Sequence, residues 1–367
     1  MAIAKIIQIV PRVPPATDGV GDYALNLARK LRQDREIDTH FIVGDRTWTG
    51  ANTLEGFSIS KLTSSTAKSL SFALSQKQAE AILLHYVGYG YAKRGCPTWL
   101  VNGLQNWRDF SPKSQLVTMF HEVYAAGEPP WTSAFWLFWL QKKLAARLVQ
   151  LSDRVLTNKK LYSQILNGLS RGKHLDIPAL PVFSNIGEAR QLSRLSERQP
   201  WLVVFGGRNN RKKAYLESHS KISLVCQILG IEQIIDIGTP TGLSLSDLNG
   251  IPIIEKGKLP KDEINRIFLK SRGGFLDYNP EYLAKSGIFA AYCAYGLVPF
   301  NAKGSHLEID GIKSGRHYLV ANCSLELQGG MNELQAIADR AYGWYQTHNL
   351  ASQAQVFASQ MSLCHSL

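Results

Sequence analysis

A chain of 367 residues that is 45 % hydrophobic and 19 % charged has room for two ordinary globular domains, each burying a core. Its five cysteines are scattered and odd in number, so neither a disulfide framework nor zinc spacing is present; each is read as a packing residue in a reducing, cytoplasmic setting. The net charge of +12 asks for an anionic partner, either a phosphorylated small molecule or an acidic membrane surface; nucleic acid is set aside, because the basic residues are spread along the chain without a nucleic-acid motif. No apolar run approaches the roughly 20 residues of a membrane span, and the first residues enter a strand directly, so no signal peptide is expected.

Ile3 to Val10 is nearly all apolar, as in a parallel strand covered on both faces. Pro11 to Asp22 is a turn-rich loop. Tyr23 to Arg32 then keeps helical spacing, with Tyr23, Leu27 and Leu31 on one face. Thr39 to Val43, Ala81 to His85 and Gln115 to Phe120 are further strands, the second preceded by a helical Ala/Gln/Lys stretch. Trp131 to Ile165 is a long helical stretch, inside which Arg154 to Thr157 reads as a strand. Prolines from Ile177 onward and the polar run Arg190 to Pro200 mark a linker. A second set follows: strand Trp201 to Phe205, helix Ala214 to Leu229, strand Gln233 to Ile237, helix Asp262 to Ser271 and strand Gly273 to Leu276. A small apolar helix from Ile288 to about Tyr295 comes next, capped by Gly296, then a strand from Leu297 to Phe300 and a polar helical segment from Asn332 to about Met361. Strands alternating with helices in both halves argue for doubly wound α/β domains.

Six stretches carry chemistry. Lys285-Ser286-Gly287 sits where the small helix begins; the free N–H groups and positive dipole end there suit an anion, and Lys285 adds a full charge. Thr17 to Asp22 joins strand one to helix one, and Gly19 and Gly21 would let a phosphate or sugar approach or would simply make a tight turn; the dinucleotide fingerprint is absent. His121-Glu122 closes a strand at the end where open α/β sheets bind ligands, as a sugar-bonding imidazole or as a structural one. His85-Tyr86, followed by Gly88-Tyr-Gly90-Tyr, ends another strand in the same manner and is read as a second polar and aromatic wall. Arg208 and Lys213 follow Gly206-Gly207 and would clamp a diphosphate, or belong to a solvated basic turn. The aromatic stretch Trp131, Phe135, Trp136, Phe138 and Trp139, followed by Lys142, Lys143 and Arg147, suits a membrane interface, a core helix or a cleft that stacks sugar rings. No Asp-x-Asp and no His/Asp/Glu cluster at metal spacing appears, so no metal or other cofactor is expected. Ser/His/Asp and Gly-x-Ser-x-Gly signatures are also missing.

The order of these stretches resembles the GT-B glycosyltransferases, and among them the retaining, nucleotide-sugar-dependent glycosyltransferase family 4. The resemblance spans essentially the whole chain. It implies two Rossmann-like domains facing a central cleft: residues 1–185 on the acceptor side, a linker at 186–200, a nucleotide-sugar-binding domain at 201–345, and a helix at 346–367 crossing back onto the first. It implies that Gly19 and Gly21 lie over the donor diphosphate, that His121 faces the donor sugar, that Arg208 and Lys213 neutralise the leaving group, and that Ser286 and Gly287 give it backbone N–H groups, with Lys285 beside them. The implied partners are a nucleotide sugar and a glycan or lipid-linked acceptor of polysaccharide biosynthesis, with contact to an anionic membrane. The chain departs from the family at its paired glutamates: those positions are Leu283 and Ala291, and Glu281 is the carboxylate nearest the first. The alternative is a non-catalytic sugar- or nucleotide-binding protein on the same scaffold.

Overall fold

The computed structural model describes residues 4–77, 79–125, 129–322 and 329–361. Ile3, Cys323, Cys364 and the end of the segment 346–367 lie outside them. Two compact units divide the chain at Pro181 and Val182, and the described residues from Leu350 onward belong to the first.

The first unit runs β1 (Ala4–Val10), α1 (Gly19–Arg35), β2 (Ile37–Val43), β3 (Thr53–Leu54), β4 (Phe57–Lys61), α2 (Ala67–Ser75), β5 (Ala81–Tyr86), α3 (Gly88–Tyr91), α4 (Thr98–Phe110), β6 (Gln115–Phe120), α5 (Ser133–Leu151), β7 (Arg154–Thr157) and α6 (Lys160–Ser170). Its sheet has the order β3-β4-β2-β1-β5-β6-β7, parallel except for the β3–β4 hairpin. β1 is central: Ile9 lies between Ile42 and Leu84. Helices cover both faces. One core contains Ile7, Leu84, Leu104 and Leu148, and the other Val10, Leu25, Phe41 and Phe57, which explains the near-continuous apolar runs of β1 and β5.

The second unit runs β8 (Gln199–Phe205), α7 (Arg208–Glu217), α8 (His219–Leu229), β9 (Gln233–Ile237), β10 (Asp247–Leu248), β11 (Ile251–Glu255), α9 (Lys261–Lys270), β12 (Ser271–Leu276), α10 (Gly287–Ala294), β13 (Val298–Asn301), β14 (Leu319–Val320) and α11 (Gly330–Gln346), with a 3-10 turn at Pro280–Lys285 before α10. Its sheet order is β10-β11-β9-β8-β12-β13-β14. The chain then supplies α12 (Leu350–Gln360) to the first unit, where Tyr23 Oη of α1 donates to Gln353 Oε1 at 2.5 Å and Gln115 Nε2 to the Gln360 carbonyl at 2.8 Å.

Several elements differ from the sequence reading. Gly19 to Asp22 form the first turn of α1 rather than a loop, because Asp18 caps the helix there. The aromatic helix stops at Leu151, capped by extended Ser152, and α6 is a separate helix. Ala214 to Leu229 breaks at Ser218, whose Oγ turns to Asp277 Oδ2 at 3.1 Å. The sequence reading assigns no element to α4, whose Gly103 lets it pack on α2: a Cβ there would lie 2.9 Å from Leu70.

Candidate functional site

In each sheet the chain reverses its direction of winding beside the first strand, between β1 and β5 and between β8 and β12. Ligands of open α/β sheets bind outside the carboxyl ends of the strands at such a point. The predicted site residues gather at these two places.

At the second crossover, β8 passes through Gly206 into α7. Gly206 has φ 126°, and a Cβ on it would come within 2.4 Å of Ile288, so glycine is what lets the first turn of α10 lie against this turn. Tyr292 anchors α10 from below: its Oη accepts from Phe205 N at 3.2 Å and donates to the Phe275 carbonyl at 3.1 Å. That position needs Gly274 in β12, since a Cβ there would lie 2.6 Å from the Tyr292 ring. Gly206, Arg208 and the N-terminus of α10 are thereby brought together.

The basic run does not form one face. Arg211 is 1 % exposed and structural: it ion-pairs with Asp236, donates Nε to the Gly206 carbonyl at 3.0 Å and reaches the Thr239 carbonyl. Tyr215 Oη completes Asp236 at 2.9 Å. Burial holds the Asp236 carboxyl above its ordinary range, with the Arg211 charge pulling the other way. Five residues along a helix turn about 140°, so Arg208 and Lys213 flank the end of β8 instead of pinching from one side. Arg208 is exposed and donates Nε to the Thr241 carbonyl at 3.2 Å. Lys213 lies 3.4 Å from Asp277, which also has Lys303 at 3.6 Å. The expected bare diphosphate clamp is therefore corrected on this side: the Lys213 ammonium already faces a carboxylate.

The expectation for Ser286 is also corrected. Its N–H donates to the Leu283 carbonyl at 2.9 Å and its Oγ caps Phe289 N at 3.2 Å, so neither is directed at a ligand. Gly287 begins α10; a Cβ there would meet nothing within 4 Å, and its N–H and that of Ile288 precede the helix's own acceptors. Lys285 lies 5.7 Å over the Tyr282 ring. Glu281 is exposed at the head of the 3-10 turn, where its N–H is held by Asn279 at 3.1 Å. Leu283 and Ala291, the positions of the family's glutamates, are 1 % and 0 % exposed, so both point into the core. The sequence reading missed Asn301. It is wholly buried and ties Tyr278 to Lys303 through 3.0 and 2.8 Å bonds, which shapes the loop that carries Asp277.

At the first crossover, Asp18 occupies the helix end. Its carboxylate accepts from Val20 N at 2.9 Å and Gly21 N at 2.8 Å. Gly21 is explained by packing, because a Cβ would lie 2.2 Å from the Arg12 carbonyl oxygen; at Gly19 a Cβ would meet nothing within 4 Å. The N–H of Gly21 thus serves the chain's own anion, which corrects the expectation that it lies over a diphosphate.

His85 and His121 are both buried, so the wall expected from His85-Tyr86 is not an exposed one. They stack at 5.4 Å between ring centres, with Tyr23 edge-on to each at 5.8 and 5.0 Å. His85 Nε2 lies 2.9 Å from Gln8 Oε1 and its Nδ1 3.1 Å from His121 Nε2; Gln8 Nε2 reaches Thr39 Oγ1 at 3.4 Å. Since Gln8 Oε1 can only accept, His85 Nε2 carries the hydrogen and its Nδ1 accepts from His121 Nε2–H. Burial holds His85 neutral, its pKa pushed down to about 3. A fixed chain of hydrogen bonds through neutral His85 sets the ring of His121 at the end of β6.

Among the described residues no group of three or more His, Cys, Asp or Glu could hold a metal ion. No family model and no curated protein matches the chain. Among solved structures, an alpha-glucosyltransferase in complex with UDP and a 13-mer DNA aligns over 99 % of this chain and 99 % of its own, with a TM-score of 0.57 and 13 % identity. A lipopolysaccharide outer core galactosyltransferase, WaaB in its apo form, covers 98 % and 99 % at 0.52 and 11 %. A UDP-GlcNAc 2-epimerase from Methanocaldococcus jannaschii covers 98 % and 99 % at 0.54 and 10 %. The likeness is one of fold: two doubly wound Rossmann-like domains of the GT-B class, a scaffold common to these transferases and the epimerase.

Proposed function

We propose that this chain is a nucleotide-sugar-dependent glycosyltransferase of the family 4 type, moving a hexosyl unit to a glycan or lipid-linked acceptor with retention and without a metal. What carries the reading is the end of β8, where Gly206 lets the first turn of α10, begun by Gly287, lie against the strand's exit and exposed Arg208 follows two residues later. Departure of a nucleoside diphosphate develops negative charge, and cations with helix N–H groups fixed in advance stabilise it without reorganisation. In this reaction Arg208 and Gly287 hold the diphosphate, with Lys285 adding charge. Lys213 acts at longer range through the net positive set it forms with Lys303 and Asp277. Gly19 is where the first unit leaves room for a ligand. His121, held neutral-side-in by His85, orients a sugar hydroxyl, and Glu281 is the carboxylate nearest the reacting sugar. The proposed setting is the cytoplasmic face of a membrane in polysaccharide biosynthesis.

A second reading is favoured by Leu283 and Ala291, which leave the ribose without the family's carboxylate: a nucleotide-binding protein without transferase activity. The fold shared with an epimerase adds a third, conversion of a nucleotide sugar with no acceptor. Calorimetry with UDP, GDP and ADP and their sugar conjugates, in the presence of EDTA, tests all three. Binding of one nucleotide that Arg208→Ala abolishes, with sugar release only when an acceptor is present, is the expected result. Binding without turnover would support the second reading, and turnover without acceptor the third. No binding of any nucleotide would remove the proposal.

A further inference from the structure

The front of α5 presents an exposed aromatic side: Phe135, Trp136, Phe138 and Trp139 are exposed, while Ala134, Leu137 and Leu140 are half-buried on the other. From Ser133 to Leu140 no residue is buried; burial begins at Gln141 and continues with Leu144, Ala145, Leu148 and Val149. Trp131 is 85 % exposed, Trp136 66 % and Trp139 57 %, with Phe135 and Phe138 exposed beside them. This tip is built rather than frayed: Thr132 Oγ1 caps Phe135 N at 3.3 Å, and Trp136 Nε1 donates to the Pro130 carbonyl at 2.8 Å. An exposed apolar patch of this kind marks an interaction surface.

Where the helix enters the body, cations cluster. Lys142 and Lys143 are exposed, and α5 contains no acidic residue. Gln141 Nε2 donates to the Arg94 carbonyl at 3.0 Å, which brings exposed Lys93 and Arg94 to the same level. Trp136 and Lys142 are six residues apart, about 9 Å along a helix, and that matches the roughly 5–10 Å by which interfacial helices sink below lipid headgroups.

We propose that the aromatic front of α5, from Trp131 to Leu140, inserts into the surface of an anionic bilayer, with Lys93, Arg94, Lys142 and Lys143 at the level of the lipid phosphates. A second copy of the chain does not fit the surface, since pairing two such tips would bring two sets of the same four cations together. A sugar cleft does not fit either, because such a site holds one or two rings in a pocket, whereas five large aromatic side chains are exposed together here beside four cations. No described helix is long and apolar enough to cross a membrane, so the contact is peripheral. The inference does not rest on the proposed donor chemistry.

The test is co-sedimentation of the full chain with phosphatidylcholine vesicles, with and without phosphatidylglycerol, at low and high salt. Binding to the phosphatidylglycerol vesicles is expected, lost at high salt and in phosphatidylcholine alone. Trp136→Ala with Trp139→Ala should weaken it at least tenfold, and Lys142→Ser with Lys143→Ser roughly twentyfold, at about fivefold per cation. These side chains are exposed, so the melting temperature should not move. As a check independent of any variant, lipids brominated on the acyl chain should quench the tryptophan fluorescence of the unaltered protein. No binding to phosphatidylglycerol vesicles, unchanged binding by the tryptophan variant, or absence of quenching overturns the inference. So does self-association in sedimentation equilibrium that the tryptophan variant abolishes, which would give the face to a second copy. Nucleotide binding measured on the same samples reports separately on the donor reading.

Discussion

Position for position, the strand order β3-β4-β2-β1-β5-β6-β7 of the first unit recurs as β10-β11-β9-β8-β12-β13-β14 in the second, yet the two crossover points carry opposite chemistry. In the first, the helix N-terminus after β1 is filled by the chain's own Asp18, and the polar groups beneath the strand ends form a neutral chain through Gln8, His85 and His121. In the second, Arg211 and Asp236 are buried as a charged pair, Arg208 remains exposed, and a Cβ at Gly287, where α10 begins, would meet open space. One topology has been divided into a neutral, hydrogen-bonding end and a positive, anion-seeking end.

The largest expected effect tests whether the charged frame of the second unit is structural. Arg211→Met leaves Asp236 buried without its cation and should cost about 3–5 kcal/mol in urea unfolding, whereas pairing it with Asp236→Leu should recover much of the loss. A cost of less than about 1 kcal/mol would mean that the pair behaves like an exposed one and does not hold the turn. Next comes Arg208→Ala. If the positive end serves the leaving group, turnover with the identified donor should fall about 10²–10³-fold, while the melting temperature stays put because the side chain is exposed.

The neutral end gives a prediction in pH. His85 has its pKa at about 3 in the fold, against an ordinary 6.5. Between those values the unfolded chain binds more protons, so stability rises with pH there and is lost as pH falls below 6.5, by up to about 1.4 kcal/mol per pH unit for one such group. His85→Gln should cost about 1–3 kcal/mol at neutral pH and flatten the slope between pH 6.5 and 4.5 in urea midpoints. Some slope should survive, because burial also holds His40 and His348 down at about 4. An unchanged slope would show that the chain through Gln8 and His121 does not keep this imidazole neutral.

How much of this was legible follows from what each contact depends on. Apolar runs gave β1 and β5, since strands covered on both faces have little choice of residue. Ser286, Gly287 and Gly296 bracket α10 by local rules alone: a hydroxyl cap at one end and a left-handed glycine at φ 59° at the other. His121 was found because a strand end is a local feature. Its partner chain was not, because Gln8, Thr39 and His85 meet it only through the sheet order. The pairing of Arg211 with Asp236 was hidden for the same reason, so the basic run read as one surface. The β3–β4 hairpin escaped because its strands are two and five residues long and turn on Glu55-Gly56 rather than a familiar turn pair. Asp18 shows the opposite limit: its capping is local, but it reads as one more loop residue until the helix is seen to begin beside it.

The smallest effect separates the two glycines that the sequence could not tell apart. Both lie in the first turn of α1, where Ala is the better helix former by up to about 1 kcal/mol. At Gly21 that gain is outweighed, because the added Cβ would sit 2.2 Å from the Arg12 carbonyl oxygen, a backbone atom that can yield only by shifting the β1–α1 connection. Gly21→Ala should therefore destabilise by about 1–3 kcal/mol. At Gly19 the same methyl enters open space, so Gly19→Ala should leave stability unchanged or raise it slightly. If Gly19 is where a ligand approaches, the variant should nevertheless bind the proposed donor sugar nucleotide more weakly. Thermal unfolding and calorimetry on the pair read these apart: a loss of stability at Gly19, or none at Gly21, would reverse the assignment of packing to one glycine and access to the other.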